Sequence, residues 1–290
     1  MRMGLLAAGL LGLCWTAPLA AAQTVAVGSQ YDTTHIYVAP GDLDRFVASF
    51  LATFGGKSTP QAIVTVTPTP SETLSQLLVT PYGLASVFGY RTPIPYPFGA
   101  ERTGYLVRDM DEAVQAARAA GAEVIVAPFR DPIGRDAIIV WPGGVTMQLY
   151  WHFKAPSYPP LTEAPENRIY LSPDAADAFT RDFLRFAGGH VVSDEQAAPG
   201  AAIGRPDATF RRIRLATGFG PQLLLVSDGH LPYPYGRETT GYGVPNLAQT
   251  LTRAQASGAT VLVAPHDVGT GQSAIIAFPG GYIAEIHSGP

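Results

Sequence analysis

The chain repeats itself. PYPFGAERTGY, starting at Pro95, returns as PYPYGRETTGY, starting at Pro232, 137 residues on. The match continues without a gap: EVIVAPFRDPIGRDAIIVWPGG from Glu123 is answered by TVLVAPHDVGTGQSAIIAFPGG from Thr260. Between Pro95 and Trp151, 24 of 57 positions equal their counterparts. The beginnings also correspond, HIYVAPGDLDRFVASFLATFGG from His35 with RIYLSPDAADAFTRDFLRFAGG from Arg168, here 133 residues apart. The second copy therefore carries four extra residues, expected in a loop. Self-similarity on this scale means one folding unit written twice. APSYPPLTEAPEN, from Ala155 to Asn167, is proline-rich, has no apolar period and reads as a linker. The expected spans are 30–154 and 168–290, joined by 155–167.

Each copy contains a shorter unit, again twice. HIYVAP reads as a strand, after which Leu43, Phe46, Val47, Phe50, Leu51 and Phe54 recur at helical spacing until Gly55-Gly56 stops them. Ala62–Thr67, Gln76–Thr80 and Leu84–Tyr90 read as strands. The order restarts with a strand at Gly104–Arg108. Asp109 and Glu112 form a capping box, Ala113, Val114 and Ala117 share a face, and Gly121 is the stop. Strands follow at Val124–Ala127, Ala137–Trp141 and Thr146–Tyr150. In the second copy Ser172-Pro173 opens one helix and Asn246-x-x-Gln249 the other. The unit is βαβββ, two per copy, which places the chain in the α+β class.

Composition removes several function classes. A net charge of −4 argues against a nucleic-acid binder, which needs a basic stripe. A single cysteine excludes disulfide frameworks, zinc ribbons and iron–sulfur sites. The 31 glycines and 26 prolines, beside 47% hydrophobic residues, fit many turns between short buried elements rather than disorder. At the N-terminus, Arg2, an apolar stretch from Gly4 to Trp15 and Ala20-Ala21-Ala22 read as a signal peptide over residues 1–22. The stretch is short for a membrane span, and a retained anchor helix is the alternative. Cys14 would leave with the signal, so the mature chain is expected to be secreted or periplasmic, with no integral membrane segment.

Paired βαβββ units with a strand–PGG–strand near the end of each copy resemble the vicinal oxygen chelate superfamily. That group includes glyoxalase I, extradiol dioxygenases and bleomycin-resistance proteins. HIYV, GYLVRDMDEAVQAARAAGAEV and PGGVTMQLY carry the resemblance, which covers nearly the whole mature chain. It implies two tandem domains, each curling a mixed sheet around a cleft. It also implies metal ligands from the first, fifth and eighth strands, with the fourth also used by glyoxalases. A divalent ion (Ni, Zn, Mn or Fe) with open positions there would polarise a substrate bearing two adjacent oxygens. Carried over, the first-domain positions are His35, Arg102 (or Glu101 if the register slips by one) and Gln148. Those of the second are Arg168, Thr239 (or Glu238) and Glu285. Neither domain has the His, His, carboxylate set of an extradiol site. Glyoxalase I works on glutathione in the cytosol, which an exported chain would not meet.

Three readings follow. The first is a metal-dependent lyase or isomerase of the glyoxalase type. Its metal is held by His35 and Glu285 across the two domains, with Gln148, Glu101 or Glu238 as third ligand. The second is a metal-free protein that binds or sequesters a small molecule, as the drug-binding members do. Here Arg102, Arg168, Arg212 and Arg214 are candidates for an anionic group, the last two alternating on one strand face. Tyr96, Phe98, Tyr233 and Tyr235 of the twin PYP segments are candidates for an aromatic wall. The third is a structural module without a site. Asp131, Arg135, Asp136 and Asp267 look like turn residues, and His152, His190, His230 and His266 read as surface.

Overall fold

Residues 25–269 and 271–289 are described by the computed structural model; the expected signal peptide lies outside the described residues. The first copy runs β1 (Thr33–Tyr37), α1 (Leu43–Phe54), β2 (Lys57–Ser58), β3 (Ala62–Val64), β4 (Thr73–Thr80) and β5 (Gly83–Tyr90). It continues with β6 (Thr103–Leu106), α2 (Met110–Ala120), β7 (Glu123–Arg130), β8 (Gly134–Trp141) and β9 (Val145–His152). The second copy runs β10 (Glu166–Leu171), α3 (Pro173–Ala187), β11 (Gly189–Pro199), β12 (Thr209–Thr217) and β13 (Gly220–Val226). Its last unit is β14 (Thr239–Gly243), α4 (Leu247–Ala256), β15 (Thr260–Asp267), β16 (Gln272–Ala277) and β17 (Ile283–Ser288).

Asp109 and Asn246 cap the helices they are expected to open, whereas Ser172 opens α3 without a side-chain hydrogen bond. The Asp109 carboxylate accepts from Glu112 N–H at 2.9 Å, and Asn246 Oδ1 accepts from Gln249 N–H at 2.9 Å. Gly121 closes α2 at φ 108°, a conformation costly for any side chain. The strand expected over 62–67 stops at Val64. Beyond it, the Thr65 hydroxyl donates to Ser71 O at 2.8 Å and that of Thr67 to Thr69 O at 2.7 Å. These local bonds fold the edge into a turn instead of extending the ladder.

The first sheet has the order β2-β4-β5-β1-β6-β9-β8-β7, with β3 also on β4, and the second β11-β12-β13-β10-β14-β17-β16-β15. Within each, the two units meet at a central antiparallel pair, β1 with β6 and β10 with β14. The pairs β1–β5, β6–β9, β10–β13 and β14–β17 are parallel.

The cores are shared between domains. One contains Tyr105, Met110, Trp141 and Leu149 from the first domain with Ile169, Phe179, Phe183 and Leu224 from the second. The other joins Ile36, Phe46, Phe50 and Val87 to Tyr242, Leu251, Phe278 and Ile286. Phe50 lies 5.3 Å from Phe278 and Phe183 lies 5.6 Å from Trp141, ring centre to ring centre. The helices thus lie between the sheets. Side chains alternate along a strand. Ile36 and Ile286 point into the shared core, so His35 and Glu285 point the other way, each into the cleft of its own sheet.

Candidate functional site

The open face of the first sheet encloses a cavity of about 200 Å³. Thr33, His35 and Tyr37 from β1, Ser75 and Leu77 from β4, and Ser86, Phe88 and Tyr90 from β5 form one wall. Asp136 from β8 and Gln148, Tyr150 and His152 from β9 form the other. Phe98 of the first PYP segment, Asp131 and Ile133 of the β7–β8 turn, and Tyr158 complete it. Tyr158 comes from the proline-rich linker, which therefore contributes to the cleft as well as joining the domains.

At the floor, Glu101 is fully buried and His35 is 3% exposed. His35 Nδ1 stands 3.5 Å from Glu101 Oε1, and the Tyr37 hydroxyl donates to that same oxygen. Glu101 Oε2 has no protein partner. Burial, reinforced by Glu101, pushes the Tyr37 phenol up, and burial does the same to Tyr90 and Tyr150, so all three remain protonated donors. Asp136, which looks like a turn residue in sequence, is only 4% exposed and sits in β8 opposite Tyr150. Burial raises its carboxyl well above the ordinary range; the charges of Asp131 and Glu101 add to this, while a hydrogen bond from Gln148 opposes it. His152, expected at the surface, lines the cavity, and burial lowers the pKa of its imidazole.

The second domain fills the same place with its own side chains. At the positions of Ser75, Leu77, Ser86 and Phe88 it carries Arg212, Arg214, Leu223 and Leu225. Leu223 and Leu225 pack with Ala198, Ile203 and Phe210. Ile203 belongs to a short helical turn, Gly200–Ile203, in the segment that holds the four extra residues of this copy. Arg168, in the place of His35, donates from Nε to Glu166 at 3.1 Å and lies 3.4 Å from Glu285 through Nη1. Arg214 bonds Glu166 at 2.9 Å, and His287 Nδ1 is 2.8 Å from Glu285, which also accepts from the Ser273 hydroxyl. Burial alone would raise the Glu285 carboxyl, but Arg168, His287 and Ser273 outweigh it and hold it below its ordinary value. Only about 30 Å³ of space remains beside this network.

Several sequence expectations are corrected by this geometry. His35 and Glu285 do not share a site, because they face outward from opposite sheets. Arg102 is opposite His35 on the fifth strand, as expected, and Thr239 is opposite Arg168, but the His35 ring lies over Gly104, which pairs with Thr33. Arg102 is exposed, and its carbonyl accepts His35 N–H at 2.8 Å. A Cβ at Gly104 would stand 2.4 Å from His35 Nε2, so the imidazole leaves no room for a ligand side chain at that position. At the matching Gly241 a Cβ would lie 2.8 Å from both Arg168 Nε and Glu285 Oε2. Among the described residues no three or more His, Cys, Asp and Glu side chains are grouped to hold a metal ion. The donor set therefore does not fit the divalent centre that the resemblance implies. Arg168, Arg212 and Arg214 are paired with Glu166, Glu285 and Glu195 rather than offered to an anion. Tyr96 and Tyr233 are 87% and 66% exposed, and Tyr235 packs over Gly204, so of the four PYP aromatics Phe98 alone lines the open cavity.

Glu238, offered by sequence as a third ligand, accepts instead from Asn167 Nδ2 at 3.2 Å. Burial pushes its carboxyl up to about 7; Asn167 and Arg102 oppose the shift and Glu101 adds to it. The folded chain then keeps a proton that the unfolded chain releases at its ordinary carboxyl value, so stability falls as pH rises between about 4.5 and 7 and levels off above. Asp32 and Asp136, also raised by burial, contribute slopes of the same sign. Glu238→Gln keeps the acceptor for Asn167 and should remove part of that slope, up to about 3 kcal/mol across the window. Urea denaturation of both proteins from pH 4 to pH 8 measures it.

No family model matches the chain, and no curated protein sequence does. Solved structures do. A triple mutant of 4-hydroxymandelate synthase from Streptomyces coelicolor is 13% identical over 92% of this chain and 93% of its own, with a TM-score of 0.59. The Mn(II)-bound glyoxalase from Novosphingobium aromaticivorans is 14% identical over 92% and 83%, TM-score 0.55. A 2,3-dioxygenase from Pseudomonas is 13% identical over 92% of both chains, TM-score 0.53. The protein has the tandem-domain fold of the vicinal oxygen chelate superfamily. Within that fold its first cleft is open, and its second is closed by its own arginines and leucines.

Proposed function

We propose that the protein binds a small, largely apolar molecule in the cleft of its first domain without a metal ion, and that the second domain is a structural partner. The observation that carries this reading is the contrast between the copies: about 200 Å³ of aromatic-walled space in one, an ion-pair network and a leucine cluster in the other. An apolar cavity of about 150 Å³ accepts benzene, so this one has room for a substituted ring. Tyrosine rings supply flat contact area, and Ser75, Ser86 and Thr33 supply hydrogen bonds that orient a ligand. The N-terminal apolar stretch supports an exported chain that meets its ligand outside the cytoplasm.

Titration with indole, followed by thermal shift, tests the reading. Indole should raise Tm, and prior treatment with chelator should leave the shift unchanged. Ser86→Trp puts a large ring into the space that the second copy fills with Leu223, and it should abolish the shift while keeping the fold. An indole response equal in the variant, or dependent on added metal, would overturn it.

A further inference from the structure

Taking the first cleft as the binding site, we infer that its ligand is an organic cation: an aromatic or apolar group bearing a protonated or quaternary amine. The ionisable side chains that line the cavity are two carboxyls, Asp131 and Asp136, two histidines and four tyrosines; no lysine or arginine is among them. Glu101 lies behind His35 and Tyr37, with one oxygen unpartnered. Burial disfavours the charged form of Asp136, which leaves Asp131 and Glu101 as the carboxyl groups that act on one low-dielectric space, with no lysine or arginine lining it. An anionic ligand would meet repulsion from both.

The hydrogen-bond donors point the same way. The Tyr37 hydroxyl is spent on Glu101 and that of Tyr150 on Tyr31 O. Their remaining lone pairs, and the carboxyl oxygens, are acceptors. Around them stand the faces and edges of Tyr37, Phe88 and Tyr90, with Tyr37 packed 5.4 Å from Phe88 and 6.2 Å from Tyr90. Aromatic walls with acidic groups between them attract a diffuse cation. A metal ion is a poor candidate, since no three of these groups come within ligand reach of one another among the described residues.

The second copy shows what such a field calls for. There the acids at the matching face, Glu166 and Glu285, are neutralised by guanidinium groups of the chain itself. Two of the arginines near that cleft, Arg212 and Arg214, replace Ser75 and Leu77, and Arg168 replaces His35. The first copy carries none of these cations, with Ser75, Leu77 and His35 in their places, and its own acids stand elsewhere, since Thr33 and Gln148 occupy the positions of Glu166 and Glu285. A positive charge for this cleft then comes from outside.

Three probes separate the possibilities: phenyltrimethylammonium, its uncharged carbon isostere tert-butylbenzene, and the anion 4-tert-butylbenzoate. Ligand-observed NMR titration should give the cation at least tenfold tighter than the isostere, and no binding of the anion. Asp131→Asn should weaken the cation severalfold and leave the isostere unchanged. Asp136→Asn, which replaces a carboxyl whose charged form burial already disfavours, should have the smaller effect on the cation and none on the isostere. Equal affinity for cation and isostere would overturn this inference while leaving the first cleft as the binding site, which indole tests independently. Failure of the cation to bind, with indole bound, would overturn it as well.

Discussion

Phe183→Ala should destabilise the whole protein by about 3–5 kcal/mol, and the variant should still unfold in one transition. Phe183 is fully buried and belongs to the second domain, yet its ring packs on Trp141 and Tyr105 of the first. Truncating it removes packing from a core that neither domain owns. Because both cores draw residues from each domain, opening one domain exposes apolar surface of the other, which couples their unfolding. Urea unfolding followed by circular dichroism and by tryptophan fluorescence measures this. Two separated transitions, or a loss confined to the second domain, would contradict the shared cores.

Arg168→Met should cost a comparable amount, about 3–5 kcal/mol at neutral pH, by a different route. The substitution removes the guanidinium between Glu166 and Glu285 and leaves two buried carboxylates, Glu285 only 2% exposed, with Arg214 as the remaining charged partner of one and His287 of the other. The damage lies in the stranded charges rather than in the lost contact. Adding Glu166→Gln and Glu285→Gln to Arg168→Met should therefore recover most of the loss. The single variant should also regain stability as pH falls and the carboxylates protonate. A triple variant no more stable than the single one would show that Arg168 acts through packing alone.

Much of the fold was legible because the repeat and its periodicities report directly on buried faces. Leu43, Phe46, Phe50 and Phe54 mark α1, and Asp109 and Asn246 mark the starts of α2 and α4. The site was less legible. Alternation along β1 and β17 shows that His35 and Glu285 share a face with particular neighbours, but not which face meets the other domain. That depends on where the helices pack, and here they pack between the sheets, so the two side chains point away from each other. Asp136 looked like a turn residue because it follows Gly134, yet Gly134 already lies in β8. A side chain there would meet Trp151 O at 1.7 Å, so the glycine serves close strand contact. Tyr158 was hidden by the prolines around it. The signal that could have located the cleft was present in the repeat itself: Ser75 and Ser86 have Arg212 and Leu223 as their counterparts in the second copy, small against large. Comparing the copies for side-chain volume, instead of for metal-ligand types, separates the open domain from the filled one.

Metal-free binding of a cation in the first cleft can be checked in a crystal structure of the protein, purified through chelator, resupplied with manganese and zinc, and soaked with phenyltrimethylammonium. Density for the probe is expected between Tyr37, Tyr90 and Asp136 of the first domain, with no anomalous metal peak at His35, Glu101 or Gln148 and no probe beside Arg168. A metal ion bound to those three residues, or the probe seated in the second cleft, would contradict it.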